Sequence, residues 1–309
     1  MKNTKISASA LWCLALAISF SLVQCTKAEK DDDFTPGDPP PVEGGFVNSS
    51  EIEPASLVAY FPFEDNVDDK QATVTGGAIK GSGTFTEGRK GKAYQGANGA
   101  FISYANPGAV GALTSFTVSF WINTQKHDGG AQGVFALSKE DGSFWGNFFV
   151  IIEGNNSSSD KMLTKLHFEK NVTPPINNVE QWLDLPEALR PDNMYGAWRQ
   201  ITYTYDETTS KVAYYANGQR ITIDENNAGA IVNRTDRKAN DTTPLGALAF
   251  KNPAKFVIGG YQNQLGAPYG GAEPWMLTYT GKLDEMRIYK KALTPQQVSA
   301  LFKLESQGR

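Results

Sequence analysis

Gln200-Ile-Thr-Tyr-Thr-Tyr205 and Lys211-Val-Ala-Tyr-Tyr-Ala-Asn-Gly-Gln-Arg-Ile-Thr-Ile223 decide the fold class of this chain. The first run alternates apolar and polar residues, as a strand with one buried face does. The second sets Ala216-Asn217-Gly218 between two β-rich runs, 211–215 and 219–223. Asn-Gly adopts positive φ at low cost and suits a tight primed turn, so the stretch predicts a hairpin. Outward from it, the same pattern predicts strands at Leu57–Phe61, Phe116–Ile122, Phe148–Ile152, Lys255–Gly260 and Lys282–Tyr289. One short helix is expected near the end, with Thr294 as cap, Pro295 at the first position and Gln296–Phe302 as its body. Many strands, frequent turns and almost no helix indicate an all-β, two-sheet antiparallel sandwich or jelly roll. Two polar stretches, 154–196 and 224–252, read as long loops, and loops of that length tend to carry function.

Composition agrees. Hydrophobic residues make up 40% and charged residues 20% of 309 positions, a globular balance. The 6 Trp, 12 Tyr and 17 Phe favour strands. A net charge of −4 without a basic stripe excludes a nucleic-acid partner. The two cysteines, Cys13 and Cys25, leave the rest of the chain without a disulfide, so its stability rests on core burial.

The N-terminus carries Lys2 and Lys5, then an uncharged apolar run from Ile6 to Val23 whose length overlaps a membrane span. Leu22-Val23-Gln24-Cys25 resembles a lipobox, with Gln24 where Gly, Ala or Ser is usual. The resemblance implies cleavage before Cys25 and acylation of that cysteine. An uncleaved anchor or an ordinary secretory signal is the alternative. The expected organisation is a lipoprotein signal peptide over 1–24, a disordered tether over 25–54, a folded domain over 55–305 and a tail over 306–309. The tether is rich in charge, Pro and Gly, with Pro39-Pro40-Pro41 as a stiff element. Lys30-Asp31-Asp32-Asp33 resembles the acidic signal that directs some Gram-negative lipoproteins to the outer face of the outer membrane. A solvated charge run is the plainer reading.

Several stretches together resemble the LamG-like jelly roll of the concanavalin A-like lectin and glucanase superfamily. Leu57-Val-Ala-Tyr-Phe-Pro-Phe-Glu-Asp-Asn-Val-Asp-Asp69 is similar to its first strand and acidic turn, and Phe116-Thr-Val-Ser-Phe-Trp121 to its central strand. Trp198-Arg-Gln-Ile-Thr-Tyr-Thr-Tyr-Asp206 with Tyr215-Ala-Asn-Gly218 is similar to its strand-and-hairpin core. Gly281-Lys-Leu-Asp-Glu-Met-Arg-Ile-Tyr289 with Ala292-Leu293-Thr294 is similar to its closing strand and helix. The resemblance implies recognition, often of carbohydrate, and names no ligand.

Two constellations stand out. Glu64, Asp65, Asn66, Asp68 and Asp69 cluster in one turn, and hard oxygen donors at short spacing suit Ca²⁺. The resemblance implies a structural calcium ion tying this turn to the closing strand through Asp284 or Glu285. A solvated acidic turn with Asx hydrogen bonds is the alternative. The second constellation is aromatic, since sugar recognition pairs a flat ring with polar side chains. Trp121 and Trp198 sit within strand patterns and are expected in the core. Trp145, Trp182 and Trp275 sit in loop-like contexts and are candidate ligand contacts, as are Tyr195 and Tyr269. Each of these rings alternatively plugs its own loop.

No catalytic residues are expected. Glucanases of the superfamily carry Glu-x-Asp-x-x-Glu on one strand, with acids about 5–5.5 Å apart in retaining enzymes, and no such string occurs. Asp284 and Glu285 are adjacent, which points them to opposite faces of a strand. His127 and His167 are isolated and read as structural or surface residues. The expectation is a non-catalytic lipoprotein of the outer-membrane surface, touching the membrane through its N-terminal lipid only. Its partner would be a glycan or a host or matrix glycoprotein, with a transporter or glycosidases as possible associates. The rivals are an adhesin and, further off, a glycoside hydrolase.

Overall fold

A computed structural model describes residues 39–154, 159–171, 179–223 and 235–309. Cys13, Cys25, the apolar run Ile6–Val23 and the acidic run 30–33 lie outside the described residues.

The first sheet holds β1 (Leu57–Phe61), β3 (Thr84–Glu87), β4 (Lys92–Gln95), β6 (Phe116–Asn123), β11 (Arg199–Asp206), β12 (Lys211–Ala216), β13 (Gln219–Arg220) and β16 (Lys282–Tyr289). Its order is β13-β12-β11-β6-β16-β4-β3, with β1 also paired to β16. The second sheet holds β2 (Thr75–Lys80), β5 (Phe101–Asn106), β7 (Ala131–Leu137), β8 (Phe148–Glu153), β9 (Thr164–Lys170), β10 (Val179–Asp184), β14 (Phe256–Ile258) and β15 (Met276–Thr278). Its order is β10-β9-β8-β7-β14-β5-β2, with β15 added in parallel to β7.

The hairpin forms as the sequence requires. Asn217 and Gly218 take φ of 50° and 73° between β12 and β13, the double positive φ of a primed two-residue turn. Between the sheets, side chains that alternate inward make one core. Phe116 of β6 meets Phe148 of β8 with ring centroids 4.6 Å apart. Phe120 meets Phe135 edge-on at 6.3 Å. Each such fully buried side chain contributes about 1.5–3 kcal/mol.

The stretch 154–196 is not one loop. It contains β9 and β10, which extend the second sheet at its edge. In β9, Leu166 and Phe168 join the central core while Lys165, His167 and Glu169 alternate with them. The described remainder of 224–252, from Thr235, forms isolated bridges and no named strand, and Leu245 and Leu248 join the central core.

The helix α1 (Pro295–Ser306) is four residues longer than expected. Thr294 Oγ1 accepts from the Gln297 N–H at 3.2 Å, and Gln297 Oε1 accepts from the Thr294 N–H at 2.9 Å, closing a capping box. Its apolar stripe, Val298, Leu301 and Leu304, packs with Tyr215 and Tyr289 on the outer face of the first sheet. The segment from Pro40 to Pro54, expected as part of the tether, is folded against this helix. Ile52 is buried beside Leu293 and Val298, and Ser49 Oγ accepts from Arg287 Nη2 at 3.2 Å. The last residues also dock, since Arg309 Nε donates to the Val47 carbonyl at 2.9 Å. Apolar Val42, Phe46 and Ile52, spaced through a Pro- and Gly-rich segment, supply the contact that its average polarity hides.

Candidate functional site

The outer face of the second sheet carries an aromatic patch. Phe149 of β8, His167 of β9 and Trp182 of β10 lie side by side across three neighbouring strands, because His167 pairs with both Phe149 and Trp182 in register. Phe149 stacks on His167 at 4.5 Å and 13°, and Trp182 meets His167 at 4.5 Å and 68°.

Two loops roof this floor. The loop 138–147 delivers Phe144 and Trp145, and the loop 262–275 delivers Trp275. Trp145 lies 5.3 Å from Phe149, 5.2 Å from Trp182 and 5.9 Å from Trp275. The loops are stitched to each other. Gln262 Oε1 accepts from the Lys139 N–H at 2.7 Å, and Gln262 Nε2 donates to the Ser143 carbonyl at 2.9 Å. Asn263 Nδ2 donates to the carbonyls of Phe144 and Gly271, each at 3.1 Å. The Trp275 carbonyl accepts from the Ala131 N–H at 2.9 Å, so the backbone of Trp275 is fixed to the start of β7. Phe144 and Trp275 are 40% and 36% exposed, the two exposed large hydrophobic side chains among the described residues, and their rings are 6.2 Å apart.

A polar edge adjoins the rings. Asp184 sits two residues beyond Trp182 on the same face of β10. Lys165 Nζ contacts Asp184 at 3.2 Å and Glu153 at 2.8 Å, and all three side chains are partly open to solvent. Burial opposes the charge of Lys165, but the two carboxylates hold its pKa above the ordinary value.

Beneath the patch lies a closed polar group. Lys139 Nζ pairs with Glu169 Oε2 at 2.6 Å, and His167 Nε2 contacts Glu169 Oε1 at 3.2 Å. All three are buried. Burial works to raise the Glu169 carboxyl, and the His167 hydrogen bond with the Lys139 charge nevertheless hold it below its usual range. Burial lowers the His167 pKa against the pull of Glu169. The set is a foundation for the rings, closed to substrate by the side chains above it.

Of the expected aromatic contacts, the structure brings Trp145, Trp182 and Trp275 together. Tyr269 is buried in its own loop, its hydroxyl 3.4 Å from Glu140 Oε1. Tyr195 packs against the central core with Lys126 over its ring at 5.8 Å. Neither reaches the patch. Phe144, Phe149 and Tyr261 belong to the surroundings of the three Trp and were not singled out in the sequence, although Phe144 immediately precedes Trp145. Trp121 is buried as expected. Trp198 is not a core residue: it is half-buried and lines a surface cleft, because it precedes β11 by one residue.

Carboxylates of the acidic turn, and that of Asp284, accept hydrogen bonds from backbone N–H groups. Asp69 accepts from the N–H groups of Tyr60, Gln71, Thr73 and Val74 at 2.7–3.0 Å. Asp284 accepts from Arg89, Lys90 and Glu285 N–H at 2.6–3.0 Å, and burial pushes its carboxyl up to about 8. Glu64 Oε2 accepts from the Lys92 N–H at 3.0 Å. The turn 88–91 fills the space beside Glu64 and Asp284. A Cβ on Gly91 would stand 2.1 Å from Glu64 Oε1, and one on Gly88 2.6 Å from Asp284 Oδ2. Asn66 Nδ2 donates to the Glu64 carbonyl and Asn66 Oδ1 accepts from the Asp68 N–H, an Asx turn. Among the described residues no group of three or more His, Cys, Asp or Glu is placed to hold a metal ion. Asp284 and Glu285 lie where β16 bulges against β6, with Glu285 at φ 47°. Glu285 accepts from the Tyr60 hydroxyl at 2.8 Å and from Arg287 Nη2 at 2.9 Å.

No protein-family model matches the chain, and no curated protein does. Solved structures do match. Domain 4 of AbnA, a GH43 extracellular arabinanase from Geobacillus stearothermophilus solved with arabinotriose, is 19% identical with a TM-score of 0.50; the match covers 80% of this chain and 98% of that one. The binding domain of botulinum neurotoxin DC, solved with rat synaptotagmin II, is 12% identical with a TM-score of 0.51 and is covered over 52% of its length by 81% of this chain. Botulinum neurotoxin type C, described as dependent upon interaction with two ganglioside molecules, is 12% identical with a TM-score of 0.52, and the match covers 83% of this chain and 52% of that one. The chain thus spans about half the length of both toxin structures. At these identities the likeness is one of fold, and the fold is a two-sheet antiparallel jelly-roll sandwich closed by one short C-terminal helix.

Proposed function

We propose that this protein is a non-catalytic, surface-displayed carbohydrate-binding protein whose platform is the outer face of the second sheet, built on Trp145, Trp182 and Trp275. The single observation that carries the reading is that, among the described residues, the exposed large hydrophobic side chains, Phe144 and Trp275, fall in one patch continuous with the other two Trp. Exposed aromatic area costs solubility, and its concentration at one place marks a binding surface. Flat rings offer the apolar face that a pyranose or furanose stacks on. Glu153, Lys165 and Asp184 beside them offer donors and acceptors for hydroxyl groups. Two of the neighbours are described with carbohydrate-bearing ligands, arabinotriose and gangliosides, which favours a saccharide.

Cys25 in the lipobox-like Leu22-Val23-Gln24-Cys25 would carry the lipid, and the acidic run after it would place the domain on the outer-membrane surface. Capture of a polysaccharide there would serve a transporter or glycosidases. The mass of the mature N-terminal peptide reads this directly, as acyl chains on Cys25.

A neutral-glycan array on the purified domain tests the binding reading. Wild type is expected to bind a defined set of oligosaccharides and Trp275→Ala to lose it with its fold intact. A second reading, capture of a protein receptor, is favoured by the toxin domain solved with synaptotagmin II. A blank array together with Trp275-dependent binding to a protein would establish it instead.

A further inference from the structure

We propose a second site, on the opposite sheet, for the anionic group of an acidic saccharide. A cleft of about 430 Å³ opens where the ends of β6 and β11, the 217–218 turn, the turn 88–91 and helix α1 meet. Its walls include Arg89, Trp121, Trp198, Arg199, Asn217 and Phe302. That volume is within the range of small-molecule sites.

The lining is unusual for this molecule. The chain has 33 acids against 29 Lys and Arg, yet two arginines and no Asp or Glu line the cleft. Neither Arg89 nor Arg199 forms an ion pair among the described residues. Their protein partners are backbone carbonyls. Arg89 Nη2 donates to the Ser306 carbonyl at the end of α1. Arg199 Nε donates to the Asn193 carbonyl at 2.5 Å, and Nη1 to the Trp198 carbonyl at 3.0 Å. The carbonyls orient both guanidinium groups, and the C-terminal end of α1 partly offsets the charge of Arg89. Neither fork is neutralised by a carboxylate, and both line one cleft, an arrangement suited to carboxylate or sulfate.

The aromatic wall supplies the other half. Trp121 is locked flat against Phe302 at 5.5 Å and 17°, with the Arg89 guanidinium 5.1 Å from its ring centroid. Trp198 is half-buried and lines the same cleft. Arginine beside an indole in the same cleft wall suits a ring that carries an acid group, as in a uronate or a sulfated sugar. This site stands on its own residues and does not depend on the platform of the second sheet.

Titration calorimetry on the intact domain tests it, with trigalacturonate as the carboxylated probe, a sulfated glycosaminoglycan disaccharide as the sulfated one and maltotriose as the uncharged control. Binding of at least one anionic probe is expected, weakened about tenfold or more by Arg199→Gln and by Arg89→Gln, and unchanged by Trp275→Ala. Which probe binds separates carboxylate from sulfate. Each variant's melting curve establishes that it is folded, and Arg199→Gln leaves the contact with α1 untouched. Failure of both anionic probes to bind wild type would overturn the proposal. So would anion binding that survives both arginine substitutions, and binding lost only in Trp275→Ala would move the ligand to the platform.

Discussion

The indole N–H of Trp121, on the central strand β6, donates to Glu305 Oε2 of the C-terminal helix at 2.7 Å. The same carboxylate accepts from Gln200 Nε2 at 2.9 Å and, through Oε1, from Arg287 Nε at 2.7 Å. Glu305, Trp121, Gln200 and Arg287 are all buried. One carboxylate thus clamps α1 onto β6, β11 and β16, and Arg287 extends the clamp to Glu285 at 2.9 Å and to the Tyr60 ring at 3.9 Å.

Removing that carboxylate leaves a buried guanidinium short of one partner and two buried N–H groups with none. Glu305→Ala is therefore expected to cost about 3–5 kcal/mol. Glu305→Gln retains one acceptor oxygen and a similar volume, and is expected to cost less than the alanine. Urea unfolding of the three proteins reads both. Equal losses would show that packing of the helix, and not the charge network, holds it.

The platform predicts a split between stability and binding. Trp145 is half-buried among Phe149, Trp182 and Trp275, so Trp145→Ala removes packing as well as a contact face. A cost of about 3 kcal/mol is expected, near the low end for a large aromatic. Trp275 is 36% exposed, and its alanine variant is expected to lose about 1 kcal/mol. Thermal melts alongside saccharide binding check the pair. A Trp275→Ala variant as unstable as Trp145→Ala would mean that Trp275 serves its loop and not a ligand.

Much of this was legible because its causes are local. The β12–β13 hairpin follows from Asn217-Gly218, and the start of α1 from Thr294-Pro295, since turn and cap chemistry act within four residues. β9 is only partly legible: His167 sits in a strand-like run, but Lys165, His167 and Glu169 on its outer face make the stretch polar, and the strand is evident once Leu166 and Phe168 are seen to alternate with them. The three Trp were each visible as loop aromatics, but their convergence was not. It depends on the register Phe149–His167–Trp182 across β8, β9 and β10, and long-range pairing leaves no mark on any one segment. Trp198 departs from the core for a related reason: one residue at a strand end separates a core ring from a cleft wall.

The buried group under the platform predicts an acid sensitivity. Burial holds the His167 pKa below its ordinary value near 6.5. Below that value the unfolded chain binds a proton that the folded ring does not, so folding free energy is lost as pH falls. The depressed Glu169 carboxyl acts in the same direction at lower pH. His167→Gln keeps a donor for Glu169 and removes one titration. Between pH 7 and 5 it is expected to lose less stability than wild type, measured by denaturant unfolding at each pH. Parallel losses would show that His167 has the same pKa folded and unfolded.

The acidic turn predicts how the fold answers calcium. Asp69 caps four backbone N–H groups and so ties β1 to the segment leading into β2. Its oxygens are spent on amide donors, as are those of Asp284 on the turn 88–91. Asp69→Ala would strand those donors in a partly buried turn and is expected to cost about 3 kcal/mol. A divalent cation would have to displace amide hydrogen bonds that already satisfy the carboxylates, so neither EDTA nor added Ca²⁺ is expected to move the melting temperature. A saturable rise with Ca²⁺ that Asp69→Asn or Asp284→Asn abolishes would put the cation back between the turn and β16, and would make the amide contacts the arrangement of the metal-free protein alone.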